Sequence, residues 1–400
     1  MENNQRRDFL KKSILGISGA ALLPQALRAS ASSQTAIPSL PSRILGKTGL
    51  KTPLISMGTS GATNPGFIRS AYDAGIRLFF SATYYGQGNN EILVGNGLKG
   101  LPRDSYTIGT ACGADGLDQK TGTFTNGFDT EAYIRKAEES LKRFGIDYID
   151  FLLFPYAGKR EMVLHEGVLK AMQQLKKQGK VRFVGIASHD NVEEALKAAA
   201  DSGVYDIAMP AYNYKSADSA TMEEALAYAT KAGIGIVAMK TTAGAARSKT
   251  GPALNTNAAL KWVLQNENVA SIVSGMSSIE EMQKNLAMIN NLKMTDQELK
   301  DLNLSNVLTE PGLYCHQCKE CLPQCPANLD IPTLMRGYMY AYGYRNFEHA
   351  YYTVADSGIA GNPCELCDVC KVNCRAGFNV QEKVRDIARL RDVPVDFLMA

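Results

Sequence analysis

Two cysteine ladders near the carboxyl end of the chain carry the most specific chemistry in this sequence. Eight of its nine cysteines fall into two copies of one spacing, C-x2-C-x2-C-x3-C. The first ladder consists of Cys315, Cys318, Cys321 and Cys325, and the second of Cys364, Cys367, Cys370 and Cys374. A repeated ladder of this kind is the ligand pattern of proteins that bind two [4Fe-4S] clusters. The sequence therefore predicts two such clusters.

The fourth cysteine of each ladder is expected to reach the other cluster. One cluster would be held by Cys315, Cys318, Cys321 and Cys374, and the other by Cys364, Cys367, Cys370 and Cys325. A disulfide framework is one alternative, but disulfide bonds give no reason for a 2-2-3 spacing that occurs twice. Structural zinc is another, but it favours Cys-x2-Cys pairs, often with a histidine.

The segment that contains the ladders is expected to be helical. Between them, residues 331–342 and 347–356 have helical patterns, whereas a compact bacterial ferredoxin would have a shorter insert with more β character. We therefore expect a small α-helical ferredoxin-type domain at 309–400, with an exposed face on which a redox partner protein docks.

The amino terminus resembles a twin-arginine export signal. Arg6-Arg7 precedes an apolar, Gly/Ala-rich run over 13–23 and a small-x-small site at Ala29-Ser30-Ala31. A general secretory signal is the alternative, and the run is too short to span a membrane. Because the twin-arginine machinery exports folded proteins, it suits a chain that receives its clusters in the cytoplasm. Residues 1–31 are therefore expected to be a signal for export to the periplasm or another extracytoplasmic space.

Composition excludes some other classes of protein. The 43 Lys and Arg residues nearly balance the 40 Asp and Glu residues, and no basic stripe interleaved with aromatic residues suggests a nucleic-acid partner. No run beyond the signal is apolar enough to predict a membrane span. Hydrophobic residues at 45% and charged residues at 21% are typical of a globular enzyme or binding protein.

The elements that precede the ladders alternate between strand and helix. Eight short, continuous apolar runs have the character of parallel strands buried on both faces. They are residues 54–59, 76–82, 106–112, 148–156, 181–188, 207–214, 235–242 and 270–277. Eight such units over 42–303 predict an α/β fold, a (β/α)8 TIM barrel. A doubly wound open sheet is the alternative, but its first turn lacks G-x-G-x-x-G.

Six separated motifs resemble, in order, those of the aldo/keto reductase family. They are Leu45 to Leu50, Asp73 to Ile76, Tyr85-Gly86, Ser140 to Asp150, Gly179 to Ile186 and Ser274-Gly275. The resemblance covers roughly 43–303 and implies the same barrel. The ladders suggest the branch with a ferredoxin-type tail.

The resemblance implies a catalytic tetrad of Asp, Tyr, Lys and His, from which this chain departs. The Tyr matches Tyr85, but the Asp position is Phe80, the Lys position is Ala111 and the His position is Pro155, or Phe154 if the strand slips by one. An unassisted tyrosine, with an ordinary pKa near ~10, is a slow acid at neutral pH. Conventional carbonyl reduction is therefore not expected, and Tyr85 has either a catalytic or a packing role.

The resemblance also implies a nicotinamide nucleotide across the barrel mouth. Ser188, Asn213, Gly275 and Asn285 match family positions that would hold it. Other positions differ from the family pattern. Met209 stands where a supporting Gln is usual, and Ser277 stands where a cation is common. Glu281 lies near Ser277 and would repel a 2'-phosphate. The implied NAD(P) site is therefore only partly matched, and these departures argue most strongly against NADP.

Polar side chains at the carboxyl ends of the strands are the remaining candidates for catalysis. Besides Tyr85 they include Lys240, which ends the seventh run, and His189, which is alternatively a hydrogen-bonded rim residue. Together with the mouth residues Tyr84, Cys112 and Tyr156 they suit a sugar, a polyol or a quinone. Cys112 is expected to be a small buried hydrophobe rather than a reactive thiol.

Three functions remain open at this point. The favoured hypothesis is an exported oxidoreductase that exchanges electrons between a small polar substrate in the barrel mouth and the two clusters, then a redox partner protein or quinone. NAD(P)H-dependent carbonyl reduction is the variant closest to the family. The others are an electron carrier with a degenerate barrel, and a ligand-binding module whose clusters are structural.

Overall fold

The structure, a computed structural model, describes residues 39–118, 120–216, 219–244, 255–308, 313–365 and 367–398. The predicted export signal at 1–31 lies outside these residues, so its identity stays a prediction. Within the described part of the chain, no helix is both long and apolar enough to span a bilayer.

Eight parallel strands close into a barrel, as predicted. In chain order the strands of the described residues are β1 Ser42–Ile44, β2 Lys51–Pro53, β3 Ile55–Gly58, β4 Leu78–Ala82, β5 Thr107–Ala111, β6 Leu117–Asp118, β7 Thr123–Phe124, β8 Ile149–Phe154, β9 Val181–Ser188, β10 Ile207–Pro210, β11 Gly235–Ala238 and β12 Val269–Gly275. The barrel runs β3-β4-β5-β8-β9-β10-β11-β12 and returns to β3. Each of the eight apolar runs coincides with one of these strands, with β12 beginning one residue before its run, and the closure excludes the open doubly wound sheet.

The strands form where the sequence buries both faces of the chain. Every residue of β4 and of β8 is buried, so alternation of apolar and polar residues is absent there. Inside the barrel the rings of Phe80 and Phe151 stack with centroids 6.1 Å apart. A Cβ at Gly109 would overlap the ring of Phe151, so the glycine leaves the space that this ring fills.

Helices cover the outside of the barrel. They are Pro65–Asp73, Asn89–Leu98, Thr130–Phe144, Arg160–Val163, Glu166–Lys177, Val192–Ser202, Ser219–Lys231, Thr256–Gln265, Ile279–Met288 and Asp296–Leu308. Thr130–Phe144 shows why they begin where they do, since Asp129 caps it by accepting a hydrogen bond from Ala132 N at 2.9 Å.

A short hairpin that the sequence patterns did not predict closes the amino-terminal end of the barrel. Strands β1 and β2 pair antiparallel. The guanidinium of Arg43 donates to the carbonyl oxygens of Leu264, Asn266 and Val269, at 2.5 to 3.1 Å. The opposite end, at the carboxyl ends of the barrel strands, is not covered by this hairpin.

The C-terminal region, residues 313–398, is a helical extension with its own hydrophobic core. Its helices are Ile331–Tyr338, which continues as a π-helix over Met339–Gly343, then Phe347–Asp356 and Val380–Ala388. Leu334, Val354, Val384 and Ile387 are fully buried between them. The helical character was predicted, but Val380–Ala388 and the π-helix were not. Whether this region is a ferredoxin-type domain stays a proposal.

Candidate functional site

The C-terminal region lies over the carboxyl ends of the barrel strands. Asn346 Nδ2 donates to the carbonyl oxygen of Ser60, just after β3, at 3.1 Å. Lys319 Nζ lies 2.7 Å from Asp190 Oδ2, just after β9. Lys240, just after β11, donates from Nζ to Tyr340 Oη at 2.9 Å. The mouth, where barrel enzymes keep their chemistry, is thus built by both parts of the chain.

Lys240 is a cation of the mouth whose pKa is strongly lowered. It has a left-handed backbone, φ 56°, and Asn213 Nδ2 donates to its carbonyl oxygen at 3.2 Å. Its Nζ lies 4.2 Å from the ring centroid of Tyr340 and 5.2 Å from that of Tyr344. Burial, and then the positive charge of Arg336, lower the pKa of Lys240 to about 7. It therefore exchanges a proton near neutral pH.

Tyr85 faces the C-terminal region rather than another barrel strand. Its ring lies 5.1 Å from that of His349 and 5.3 Å from that of Tyr84. Burial, and then the neighbouring Tyr340 and Tyr156, raise its pKa well above the ordinary value. Tyr85 is consequently a neutral phenol that can donate or accept a hydrogen bond, and it does not ionise readily.

Two imidazoles flank the tyrosines, and both are neutral at physiological pH. Burial and the charges of Lys240 and Arg336 lower the pKa of His349 to about 3, and the ring packs edge-on against Tyr340 at 4.1 Å. The same causes hold the pKa of His189 well below its ordinary value. His189 Nδ1 is buried without a hydrogen-bond partner among the described residues, which makes it available to a ligand.

A second tyrosine pair lies on the other side of the mouth. The ring centroids of Tyr84 and Tyr156 lie 5.9 Å apart, and the backbone of Tyr156 is also left-handed, φ 59°. The guanidinium of Arg336 lies 5.3 Å from the Tyr156 ring and donates to Thr333 Oγ1 at 3.2 Å. Two non-glycine residues with strained backbones, Tyr156 and Lys240, thus border one site, as is common where function requires the strain.

These side chains cluster where the C-terminal region meets the carboxyl ends of the barrel strands. Most of them keep some accessible surface although burial shifts the pKa of each titratable group. We call them the mouth recess: Tyr85, Tyr156, His189, Lys240, Tyr340 and His349. The structure therefore brings together the three predicted catalytic candidates. Sequence reasoning missed Tyr340 and His349, although the run Tyr338-Met339-Tyr340-Ala341-Tyr342-Gly343-Tyr344 is an unusual aromatic signal.

The three positions where the family resemblance implied Asp, Lys and His carry no polar side chain. Phe80 fills the barrel interior, Ala111 ends β5 with 1% exposure, and Pro155 is buried. Cys112, the thiol outside the ladders, is fully buried, and burial raises its pKa to about 12. The acid–base groups of the recess therefore come from other elements.

The residues predicted to hold a nicotinamide nucleotide make contacts within the protein. Ser188 Oγ donates to the carbonyl oxygen of Asp190 at 2.8 Å, and Asn213 holds Lys240 as described above. Asn285 Nδ2 donates to Ser274 Oγ at 3.3 Å, and Gly275 is exposed at the end of β12. Nearby, Glu281 Oε2 accepts from the backbone N–H and the hydroxyl of Ser277, at 3.0 and 3.1 Å. A carboxylate thus lies beside Ser277, the position where the family resemblance implied a cation for a 2'-phosphate.

The ladder cysteines group as the crossed ligand sets require. Cys315, Cys318, Cys321 and Cys374 line one cavity, so the last cysteine of the second ladder joins the first three of the first ladder. In the other set, burial and the neighbouring Cys367, Cys370 and Cys325 raise the pKa of Cys364 to about 11. All nine cysteines lie in the described residues, and none is in a disulfide bond.

The spacing of these thiols does not suit one metal ion. Among the described residues, no three His, Cys, Asp or Glu side chains converge closely enough to hold a single ion. Ligands of one zinc ion must all lie about 2.3 Å from it, whereas thiolates around a four-iron cluster bind different atoms and lie further apart. The donor set is thus compatible with clusters, and their presence stays a proposal.

The first thiol cavity adjoins the mouth recess. Met335 lines the cavity, and the next residue, Arg336, packs on Tyr156. Gln317, between two ladder cysteines, accepts from Arg336 at 3.5 Å. One helix, Ile331–Tyr338, therefore connects the cysteines to the barrel mouth.

Comparison with known proteins gives the family of the barrel. The family model that matches residues 59–256 is that of the aldo/keto reductase family, and the C-terminal region lies beyond it. L-galactose dehydrogenase of Arabidopsis thaliana is 27% identical over 311 residues, which are 67% of this chain and 94% of that protein. The NADH-specific methylglyoxal reductase of Escherichia coli is 27% identical over 58% of this chain and 84% of its own length.

Solved structures give the same fold. An aldo-keto reductase of Bacillus halodurans in its holo form superposes with a TM-score of 0.55 at 22% identity, over 70% of this chain and 99% of that one. One of Klebsiella pneumoniae in complex with NADPH superposes with a TM-score of 0.52 at 22% identity, over 66% and 95%. At 22% identity these structures show the fold, and the family model identifies residues 59–256 as an aldo/keto reductase region, which supports an oxidoreductase of that superfamily.

Proposed function

We propose that this protein exchanges electrons between a small polar substrate in the mouth recess and two [4Fe-4S] clusters in its C-terminal region. The observation that carries the proposal is the crossed grouping of cysteines, with Cys374 in the cavity of Cys315, Cys318 and Cys321. Cluster binding explains why cysteines of both ladders converge on one cavity next to the hydrogen-bonding groups of the mouth recess.

When bound, the clusters would supply one-electron redox centres within the same polypeptide as the substrate site. The protein's own residues handle the substrate and its proton. Tyr85, Tyr156 and His189 can hold hydroxyl or carbonyl groups by hydrogen bonds, because all three are neutral near pH 7. Lys240 can take up or release a proton in that range. Oxidation of a hydroxyl to a carbonyl releases two electrons and two protons, so such a group is needed.

The lining of the recess suggests the class of substrate. Aromatic rings with polar edges, two imidazoles and one amine suit a sugar, a polyol or a quinone better than an aliphatic chain. Phenols stack on the apolar faces of such rings and bind their oxygen atoms. We propose a substrate of this class.

NAD(P)H-dependent carbonyl reduction is the second candidate, and the relatives taken alone favour it over the first. Two relatives are named for dehydrogenase or NADH-specific reductase activity, and a solved relative holds NADPH. Ser188, Asn213, Gly275 and Asn285 remain at the matching positions. Against it stand the C-terminal region over the mouth, the carboxylate of Glu281 and the apolar residues at the tetrad positions.

We further propose that the protein acts outside the cytoplasm after folded export by the twin-arginine machinery, and that a redox partner protein or quinone exchanges electrons with the clusters. The support is the Arg6-Arg7 motif with its apolar run. The supply of free nicotinamide nucleotides is cytoplasmic, so this location also favours a cluster-based route.

One experiment separates these functions. The full chain is purified without oxygen, and the visible absorbance of the clusters is followed while sugars, polyols, quinols, quinones, NADH or NADPH are added. Bleaching by a polyol or quinol, or recovery by a carbonyl or quinone, supports the proposal. Carbonyl turnover with NAD(P)H in protein that contains no iron would establish the second candidate. A protein that responds to no small molecule would be a carrier.

A further inference from the structure

The contact between Lys240 and Tyr340 joins the barrel to the C-terminal region at the centre of the mouth recess. Lys240 Nζ and Tyr340 Oη are 2.9 Å apart, and the ammonium also lies over the Tyr340 ring. Tyr340 is 7% exposed and belongs to the π-helix Met339–Gly343. A π-helix is rare and often marks a functional site.

The surroundings of Lys240 argue against a purely structural role. The charge that acts on it is the positive charge of Arg336, so burial is not compensated by a carboxylate. Its left-handed backbone, which is strained in a non-glycine residue, is held by a hydrogen bond from Asn213 to the carbonyl oxygen of Lys240. An ammonium group with a purely stabilising role is expected beside a carboxylate and on an unstrained backbone. Lys240 instead lies near the positive charge of Arg336 and has a strained backbone.

We propose that Lys240 and Tyr340 form the acid–base pair of this site, assembled across the two parts of the chain. The proposal rests on the oxidoreductase function above and adds the groups that move the proton. The step assigned to the pair is deprotonation of a substrate hydroxyl: the O–H bond breaks, its proton passes to Tyr340 Oη, and the Tyr340 proton passes to the neutral amine of Lys240. The net change is one O–H bond lost on the substrate and one N–H bond formed on Lys240. The reductive direction reverses it.

The hydrogen bond between Lys240 and Tyr340 can form whether Lys240 is charged or neutral. An ammonium donates to Tyr340 Oη, and a neutral amine accepts from it. His349 acts as a positioning residue, because its ring packs between Tyr340 at 4.1 Å and Tyr85 at 5.1 Å. The pair thus supplies acid–base groups at a mouth where Phe80, Ala111 and Pro155 supply none.

The test compares Y340F, K240R and wild type in the anaerobic cluster-reduction assay. For wild type the rate of substrate oxidation should rise with pH and level off, with a midpoint at about 7. Y340F should lose at least about 100-fold in rate, and K240R should lose the rise near neutral pH because arginine stays charged. Iron content and the circular dichroism spectrum should not change. Y342F is the matched control, since Tyr342 lies on the same π-helix but is 45% exposed, and it should retain the wild-type rate.

A second readout does not depend on turnover. The rate at which acetic anhydride acylates Lys240 in the full chain is measured against pH by peptide mass spectrometry. A midpoint near 7 in wild type supports the acid–base role even if no substrate reduces the clusters, in which case only the proposed function has failed. A midpoint near the ordinary 10.5, or a Y340F variant with the wild-type rate and pH profile, would overturn the pair.

Discussion

Lys319 and Asp190 form an ion pair, with Nζ 2.7 Å from Oδ2, that fixes the first cysteine ladder to the rim of the barrel. Lys319 follows Cys318 in the chain, and Asp190 follows His189 of the mouth recess. Both side chains are mostly buried, with 20% and 12% of their surface exposed. The position of the thiol cavity relative to the recess therefore depends on this pair.

Replacing Asp190 with asparagine should loosen this junction. The ammonium of Lys319 would stay mostly buried with a weaker partner, so the free energy of unfolding should fall by about 1 to 3 kcal/mol. Denaturant unfolding under anaerobic conditions measures it. The matched control is E320Q, which breaks the exposed pair of Glu320 with Arg375 and should cost less than about 1 kcal/mol. If D190N and E320Q lost the same free energy of unfolding, the ion pair of Lys319 with Asp190 would contribute no more than an exposed ion pair.

Reintroducing the family's aspartate at Phe80 should not restore a conventional site. Phe80 stacks on Phe151 inside the barrel, so F80D would place a carboxylate among apolar groups and should cost about 3 to 5 kcal/mol of stability. F80L, which keeps an apolar side chain, should cost less than about 1.5 kcal/mol. Unfolding curves and NADPH-dependent carbonyl reduction are the measurements. An F80D variant that is as stable as F80L and a faster carbonyl reductase than wild type would refute this view of the mouth.

His349 makes stability depend on pH in a defined direction. Its folded pKa is about 3, below the ordinary 6.5, so the unfolded chain takes up a proton as the pH falls through 6.5 while the folded protein does not. The stability due to this group is complete above pH 6.5 and decreases from there toward pH 3. Between about pH 7.5 and about pH 5.5, wild type should therefore lose more free energy of unfolding than H349N. Parallel curves for the two proteins would contradict the neutral, buried state of His349.

Glu281 should prevent recognition of NADP. Its carboxylate accepts two hydrogen bonds from Ser277 and repels a 2'-phosphate. Titration calorimetry of the full chain should give no tighter binding of NADP than of NAD, and E281Q should improve NADP binding more than NAD binding. Tight, selective NADP binding by wild type would favour the nicotinamide-dependent candidate.

The sequence predicted the barrel because its strands are buried on both faces. A run such as Ile149–Phe154 is apolar except for Asp150, and this local signal identifies a central parallel strand without any tertiary information. The hairpin β1–β2 was missed because three-residue strands with mixed exposure have no such pattern. The helix Val380–Ala388 lies beyond the last cysteine and was not recognised from its periodicity.

The mouth was predicted only in part, for a physical reason. Tyr85, His189 and Lys240 follow strands, so the barrel geometry alone places them at one end. Tyr340 and His349 reach the same place through packing between residues about one hundred positions apart, as in the contact of Lys240 with Tyr340. Sequence spacing carries no information about such contacts.

The most direct test is the iron and acid-labile sulfide content of the full chain purified without oxygen, together with its electron paramagnetic resonance spectrum after reduction. The account predicts about eight iron and about eight sulfide ions per chain, and about half of each in a C374A variant that removes one ligand of the first set. Wild-type protein that is colourless and free of iron, or that binds zinc instead, would contradict the central claim.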